Sequence, residues 1–380
     1  MGESIRRMFR FLHTSDLHIG KRFGKFDEDL RVPLRQARLN VVDRLAHIAT
    51  ENSASHILVA GDVFDTGTPG ESTIRQFLEK LEAASETFWV LLPGNHDPLA
   101  SETLWERLET GRPENVLLAT EGRPIKLNEN VILLPSPCEV KRPGEDTTRW
   151  MDEEPVIDGQ IRIGLAHGAV LSFGEDGASD VISPDRATSA NLDYMALGDW
   201  HGQRMINERT WYSGTPEPDR FKHEAPGQCL LVSIEKSGAL PVVAPLETEE
   251  FSWQERDCDL FTHSEIEDVI SGLVPEPSSR RKTLLKLKAR GRLSMAKRDE
   301  LSALAGNYEP DFGFFELDAD EIDIEINQED MNLIDIAGSL RVVADELKDE
   351  SEDDSLSTDQ RKVAMQALRL LYSLSRDAYQ

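Results

Sequence analysis

Apolar and polar positions alternate with two periods along the first part of the chain. Phe9-Arg10-Phe11-Leu12, Ile57-Leu58-Val59-Ala60 and Phe88-Trp89-Val90-Leu91-Leu92 are short runs rich in aromatic and β-branched residues, the pattern of strands. Between them the period lengthens. Leu34, Val41, Leu45 and Ile48 fall near one stripe, which predicts a helix from Pro33 to Asn52 with Pro33 in its first turn. Ile74 to Ala84 reads as a second helix. Strands alternating with helices, with polar residues at the strand ends, predict an α/β layered fold whose site lies along one sheet edge.

After about residue 115 the helical period thins out. Strands are predicted at 115–119, 130–134, 161–166, 194–197, 210–213 and 228–234, with turns at Asn128-Glu129-Asn130 and Ser237-Gly238. A second sheet packed on the first, with helices outside, follows from that pattern. Past a boundary between Pro245 and Asp259 the pattern changes again. Leu285, Leu287 and Ala289 alternate with Lys286, Lys288 and Arg290, and Ile322, Ile324 and Ile326 alternate with Glu321, Asp323 and Glu325. A helix from Ser294 to Ala305 lies between them, so a small βαβ domain is expected. Ser357 and Gln360 make a capping box for a last helix reaching Ser375, with Val363, Ala367, Leu370 and Leu374 on one stripe. Such a stripe ordinarily packs on its own domain. Its position behind the acidic spacer Glu346 to Asp354 makes a partner-binding helix the other reading. The expected division is 1–258, 259–330 and 331–380.

Composition narrows this little. A chain of 380 residues has room for two or three domains, and 39% hydrophobic with 29% charged residues describes a soluble protein. No apolar run reaches membrane-spanning length. Met1 to Arg10 has no apolar h-region, and Arg6 stands where myristoylation after Gly2 wants Ser or Thr, so neither signal is expected. Cys138, Cys229 and Cys258 lack metal-site spacing and fit a reducing cytoplasm. The net charge of −28 opposes gripping nucleic acid over the whole surface, although an acidic proteome would give the same sign. Between Arg280 and Arg298 there are nine Lys or Arg and no acid. Those bases either meet DNA phosphates or pair across strands, Lys286, Lys288 and Arg290 with Glu321, Asp323 and Glu325.

The chemistry sits in five segments, most of them just after a strand-like run: Asp16-Leu17-His18, Gly61-Asp62-Val63-Phe64-Asp65, Gly94-Asn95-His96-Asp97, His167-Gly168 and Gly198-Asp199-Trp200-His201. Together they offer enough oxygen and nitrogen ligands for two divalent cations, the usual device for hydrolysing a phosphate ester. Asp62 is the candidate bridge. Asp16, His18 and His201 would complete the first metal, and Asn95, His167 and Asp199 the second. His96 would face the substrate, positioning the phosphate or protonating the leaving oxygen. Asp65 and Asp97 would orient histidines or loop amides. Such mixed ligation without thiolate suits Mn²⁺ or Mg²⁺. His13 reads as a packed strand-end residue, and His47, His56, His223 and His263 as surface residues.

Leu12-His13-Thr14-Ser15-Asp16-Leu17-His18-Ile19-Gly20, Gly61-Asp62-Val63-Phe64-Asp65-Thr66-Gly67 and Gly94-Asn95-His96-Asp97 resemble the calcineurin-like metallophosphoesterases. With Tyr194-Met195-Ala196-Leu197-Gly198 and Tyr212-Ser213-Gly214-Thr215-Pro216 the resemblance is strongest to the SbcD-type nucleases of double-strand-break repair. It is dense over residues 9–220 and loose beyond. The resemblance implies a four-layer α/β/β/α sandwich, two Mn²⁺ ions and exonuclease or endonuclease action on DNA ends. It also implies a capping domain and a C-terminal segment docking on an SbcC-type coiled-coil ATPase; a homodimer is a further expectation. One departure stands out: the family's Gly-His-x-His is Gly198-Asp199-Trp200-His201 here, which adds negative charge at the second metal. Two other readings stay open: a phosphoesterase for a small nucleotide or phosphoprotein, and a metal-binding scaffold with little turnover.

Overall fold

A computed structural model describes residues 8–142, 144–170, 181–221, 226–325, 328–334 and 338–379. Gly2, Arg6, His223 and Ile326, named above, lie outside these residues. The chain divides into two compact units, Met1–Trp253 and Gln254–Gln380.

The first unit is built on two six-stranded sheets. Its strands are β1 (Phe9–Thr14), β2 (His56–Val59), β3 (Phe88–Leu91), β4 (Val116–Leu118), β5 (Ile125–Asn128), β6 (Val131–Ser136), β7 (Ile161–His167), β8 (Tyr194–Gly198), β9 (Arg204–Asn207), β10 (Thr210–Tyr212), β11 (Gln228–Ile234) and β12 (Val242–Glu247). One sheet runs β12-β11-β1-β2-β3-β4 and the other β5-β6-β7-β8-β10-β9. Strands β1 to β4 are mutually parallel, as are β6, β7, β8 and β10, while the flanking strands are antiparallel. Strand period decides which face each side chain serves. Phe9, Phe11, Leu58, Ala60, Val90 and Leu92 meet Leu133, Ile163, Leu165, Tyr194 and Ala196 of the other sheet in one core. Leu12, Ile57, Val59, Trp89 and Leu91 point the other way. There they are covered by α1 (Glu28–Glu51), α2 (Glu71–Ala83) and α3 (Glu102–Gly111) through Val41, Leu45, Phe77, Leu81 and Leu108. The outer face of the second sheet packs Leu134, Met195 and Leu197 against Met151 and Ala187, the latter in α4 (Arg186–Ser189). The order is therefore α/β/β/α, with the second helical layer thin.

Helix α1 starts five residues before the expected Pro33, which lies inside it. Asp27 at the N-cap and Glu28 and Asp29 in the first turn favour the earlier start, because carboxylates complement the positive helix end. Strands β5, β9 and β12 and helix α3 carry weak patterns and were not expected. His56 is buried, not on the surface, with its ring between Phe9 and Phe88 at centroid distances of 5.4 and 5.5 Å.

β13 (Ser252–Leu260), which starts at the unit boundary, and β14 (Thr283–Leu293) and β15 (Phe314–Ile324) of the second unit form a sheet in that order, with α5 (Ile266–Leu273), α6 (Pro277–Arg280) and α7 (Met295–Tyr308) between strands. β14 and β15 are parallel, making β14-α7-β15 a βαβ unit. Their register sets Lys286 opposite Glu316, Lys288 opposite Asp318 and Arg290 opposite Glu321, so the expected facing of basic and acidic residues holds for Arg290 and is displaced for the two lysines. Lys286 bonds Glu316 at 2.7 Å, while Lys288 and Arg290 turn to Glu255 and Asp259 of β13, at 2.6 and 2.5 Å. Helices α8 (Gln328–Ile334), α9 (Ser339–Glu352) and α10 (Thr358–Tyr379) follow. The capping box at the head of α10 is formed: Gln360 N–H donates to Ser357 Oγ and Ser357 N–H to Gln360 Oε1. Of the two readings of the α10 stripe, the structure does not show packing on its own domain. Val363, Leu370 and Leu374 are exposed, whereas Ala364, Leu368 and Tyr372 are buried. No helix among the described residues is long and apolar enough to cross a membrane.

Candidate metal centre

Five chain turns meet at one edge of the sandwich, each at the end of a strand. After β1 the chain crosses to the segment after β2: Asp16 N–H donates to Gly61 O, His18 N–H to Asp62 O and Ile19 N–H to Val63 O, at 2.9–3.1 Å. This pairing holds three site residues in left-handed backbone, Asp16 at φ 55°, His18 at φ 44° and Asp62 at φ 52°; Asp199 is a fourth, at φ 99°. Such conformations cost about 1–3 kcal/mol each for residues other than glycine and concentrate where geometry serves function. Gly94 makes room for Asp62, since a Cβ there would collide with the Asp62 backbone nitrogen and Oδ1.

Asp16 is fully buried. Ser15 Oγ and the Asp199 N–H donate to its Oδ2, at 2.6 and 3.3 Å. Its Oδ1 has no hydrogen-bond partner and faces His18 Nε2 and His201 Nε2, each at 3.8 Å. Asp62 divides its oxygens between two histidines: Oδ1 lies 3.5 Å from His167 Nε2, and Oδ2 lies 3.7 Å from His18 Nε2. Its Oδ1 also accepts from the His96 N–H at 2.8 Å. His167 donates Nδ1–H to Ala60 O at 2.8 Å, which aims Nε2 at Asp62 and, at 3.7 Å, at Asp199 Oδ1. Asn95 Nδ2 donates to the same Asp199 oxygen at 2.7 Å. Separations of 3.5–3.8 Å are too long for hydrogen bonds. They are of the size spanned by two ligand atoms each about 2.1 Å from one ion. His18 Nδ1 and Nε2, His167 Nε2 and Asp16 Oδ1 are buried atoms without hydrogen-bond partners. Buried polar atoms are normally satisfied, so these four fit bound cations.

Titration behaviour gives the same sign. Burial pushes Asp16 up to about 7, helped by Asp62 and Asp199 and opposed by His167. Burial would lower His167, but the carboxylates of Asp62, Asp16 and Asp199 outweigh it and raise the ring to about 9. His18 is held well below the usual histidine value by burial, Arg38 and His201. Around Asp16, Asp62 and His167 the field is one of concentrated buried negative charge, which cations relieve, whereas His18 is kept neutral as a ligand nitrogen must be. Among the described residues, three ligand groups lie close enough for an ion: Asp16, His18 and His201; Asp16, Asp62 and His167; and His18, Asp65 and His96.

The remaining expected residues join this network. Asp97 is fully buried and accepts from the Gly94 N–H at 2.8 Å and the Phe64 N–H at 2.9 Å, clipping two of the loops together. Burial and the nearby Asp62 raise its carboxyl to about 7. Asp65 Oδ1 lies 3.5 Å from His18 Nδ1. His96 is exposed and its Nδ1 is 3.0 Å from the Asp65 carbonyl, leaving Nε2 to solvent or substrate. Its ring meets His18 edge-on at 4.7 Å.

Sequence reasoning missed the layer behind the first cluster. Lys21 Nζ bridges Asp65 at 3.2 Å and Asp219 at 2.7 Å, and Asp219 lies 3.8 Å from His201 Nδ1. Arg38 is buried and donates to Leu17 O at 2.6 Å. Asp219 follows no strand-like run, so nothing local marked it. Arg38 had a signal: a charge on the apolar stripe of Leu34, Val41 and Leu45.

Comparison with known proteins agrees with this arrangement. Residues 9–224 match the model of the calcineurin-like phosphoesterases. The chain is 37% identical over 95 residues to the D subunit of nuclease SbcCD from Escherichia coli (strain K12), covering 24% of this chain and 22% of the relative. To DNA double-strand break repair protein Mre11 of Thermoplasma acidophilum it is 27% identical over 227 residues, 54% of this chain and 56% of the relative. To the D subunit of nuclease SbcCD from Bacillus subtilis (strain 168) it is 35% identical over 287 residues, 65% of this chain and 68% of the relative. The chain thus spans less than two thirds of the length of the first two relatives. With more than half of its residues inside the family match and the five turns meeting at one sheet edge, the chain belongs to the calcineurin-like phosphoesterases.

Proposed function

We propose that this protein is a Mn²⁺-dependent nuclease that hydrolyses DNA phosphodiesters at a two-metal centre, as one component of a double-strand-break repair assembly. The observation that carries the two-metal reading is Asp62, whose two oxygens each face a different histidine. In this assignment Asp62 would lie between the two ions, Asp16, His18 and His201 would hold the first, and Asn95, His167 and Asp199 would hold the second. Two such ions neutralise phosphate oxygens, acidify a water and stabilise the leaving oxygen when bound. The chain's own residues do the rest. Asp97 and the Asp62–His96 hydrogen bond fix the loops, so the ligands need not reorganise. The Asp65 carbonyl holds His96 Nδ1–H, which leaves Nε2 free to contact the phosphate or pass a proton to the leaving oxygen.

DNA as substrate is supported by the named activities of the relatives. An SbcC-type ATPase partner is supported by the relatives' assembly name and by the outward apolar residues of α9 and α10. Leu340, Val342 and Val343 on α9 and Val363, Leu370 and Leu374 on α10 are 44–64% exposed. We assign residues 259–330 to substrate capping, residues 331–380 to partner binding, and the protein to the cytoplasm.

The test is Mn²⁺-dependent cleavage of end-labelled duplex and single-stranded DNA beside a generic phosphodiester, in wild type and His96→Ala. DNA cleavage lost in the variant supports both the nuclease and the role of His96. Cleavage of the small ester alone would favour a small-nucleotide phosphoesterase. No cleavage with metal bound, and none on adding an ATPase partner, would favour a scaffold.

A further inference from the structure

The second unit holds a cleft of about 830 Å³ between its βαβ sheet and its C-terminal helices. Met295 at the head of α7 packs with Leu368 and Tyr372 of α10, and Ile324 of β15 rests on the same cluster. The two walls are therefore joined by a shared core. Four cations from three elements line the cleft: Arg292 of β14, Arg298 of α7, and Lys362 and Arg369 of α10. Lys362 and Arg369 share one face of α10 with Met365 and Gln366 between them. In a chain of net charge −28 such cations ordinarily find carboxylates. Among the described residues none of these four makes an ion pair, whereas Lys348 of α9, also in the lining, has a contact of its own. The Nε of Arg369 is buried without a hydrogen-bond partner, although buried polar atoms are normally satisfied. Burial and the nearby Arg298 lower the Arg369 guanidinium from its ordinary value, with Asp323 as the smaller opposing charge.

A guanidinium stays charged and presents its donors in a plane that matches a phosphate. Two of them close together, with a lysine on the same wall, repel one another until an anion enters. The rest of the lining limits what can carry that anion. Asp320, Asp323, Glu325 and Glu352 also border the cleft. Carboxylates accept hydrogen bonds from sugar hydroxyls, and they repel the further phosphates of a continuous strand. Ile324 and Met365 add apolar surface for a ring, and the volume suits a small molecule. We propose that this cleft binds a free nucleotide, with its phosphates on Arg298, Arg369 and Lys362 and its ribose hydroxyls toward the carboxylates. The site uses residues of the second unit alone and does not rest on the phosphodiesterase reading.

The test is isothermal titration calorimetry of the full chain in EDTA, so that no divalent cation holds a phosphate at the metal centre. ADP, adenosine, inorganic phosphate and a single-stranded oligonucleotide are titrated into wild type, Arg298→Gln, Arg369→Gln and Lys362→Gln. Urea midpoints show which variants are folded, and Lys362→Gln, with its exposed side chain, keeps the test valid if an arginine variant is not. ADP should bind wild type with a Kd below about 1 mM, and each arginine variant should weaken it about tenfold or more, the scale of one charge-assisted hydrogen bond. Lys362→Gln should weaken it as well, and adenosine should bind far more weakly than ADP. No ADP binding up to about 10 mM, or equal binding in all folded variants, overturns the site. Adenosine binding as tightly as ADP overturns phosphate recognition. Inorganic phosphate binding as tightly as ADP, or an oligonucleotide displacing ADP with higher affinity, overturns the choice of a free nucleotide as the ligand.

Discussion

Replacing His13 by glutamine should remove a definite part of the acid sensitivity of the first unit. His13 is fully buried where β1 and β8 run into the metal centre, one toward Asp16 and the other toward Asp199. Its Nε2 lies 3.1 Å from Leu197 O and its Nδ1 2.9 Å from Tyr194 Oη. A carbonyl only accepts, so Nε2 carries the proton and Nδ1 accepts from the tyrosine; the ring is neutral. Burial lowers its pKa from 6.5 to about 3, with a smaller opposing effect of the Leu197 hydrogen bond. A histidine depressed in the folded state contributes its full stability above the unfolded value and loses it as pH falls from there toward the folded value. At pH 5 the unfolded ring is mostly protonated and the folded one is not. The cost is about 1.4 kcal/mol per pH unit over roughly 1.5 units, or about 2 kcal/mol. Urea unfolding of the metal-free protein at pH 7.5 and pH 5, in wild type and His13→Gln, measures this as a difference of differences. Other titrating groups, including His56 and the proposed metal ligands, are common to both proteins and cancel. Wild type should lose about 2 kcal/mol more than the variant. Equal losses would refute a neutral, buried His13.

Gly94→Ala should cost about 1–3 kcal/mol of stability by crowding Asp62, and weaken Mn²⁺ binding in calorimetry. Gly24→Ala, with open space around the new methyl, is the control and should change neither. Asp199→His should leave steady-state hydrolysis unchanged or lower, because it removes the carboxylate oxygen that Asn95 Nδ2 bonds at 2.7 Å; a large gain would indicate that Asp199 suppresses turnover. Lys21→Ala should lower affinity for one of two Mn²⁺ ions about tenfold or more and spare the other, because Asp65 and Asp219 stand behind His18 and His201 only. Equal weakening of both ions would contradict that division.

Much of the fold was legible because strand residues buried on both faces read as continuous apolar runs. Ile57 to Ala60 and Trp89 to Leu92 serve two cores at once and leave no polar position to confuse the pattern. β5 and β9 are half-exposed edge strands, and Pro245 interrupts β12, so periodicity failed there. The segments of the centre were legible because each places Asp, Asn or His after a strand or a glycine. Their supports were not, because Lys21 and Asp219 come together only through tertiary contact. The stripe Val363, Leu370 and Leu374 shows the limit of a helical period: it identifies an apolar face and does not say whether that face is covered.

The most direct measurement is the number and coupling of Mn²⁺ ions bound by the chain, by equilibrium dialysis and electron paramagnetic resonance, in wild type and Asp62→Ala. A bridging Asp62 predicts two ions per chain with an exchange-coupled spectrum, and loss of that coupling in the variant. One ion per chain, or two uncoupled ions that survive Asp62→Ala, would contradict it.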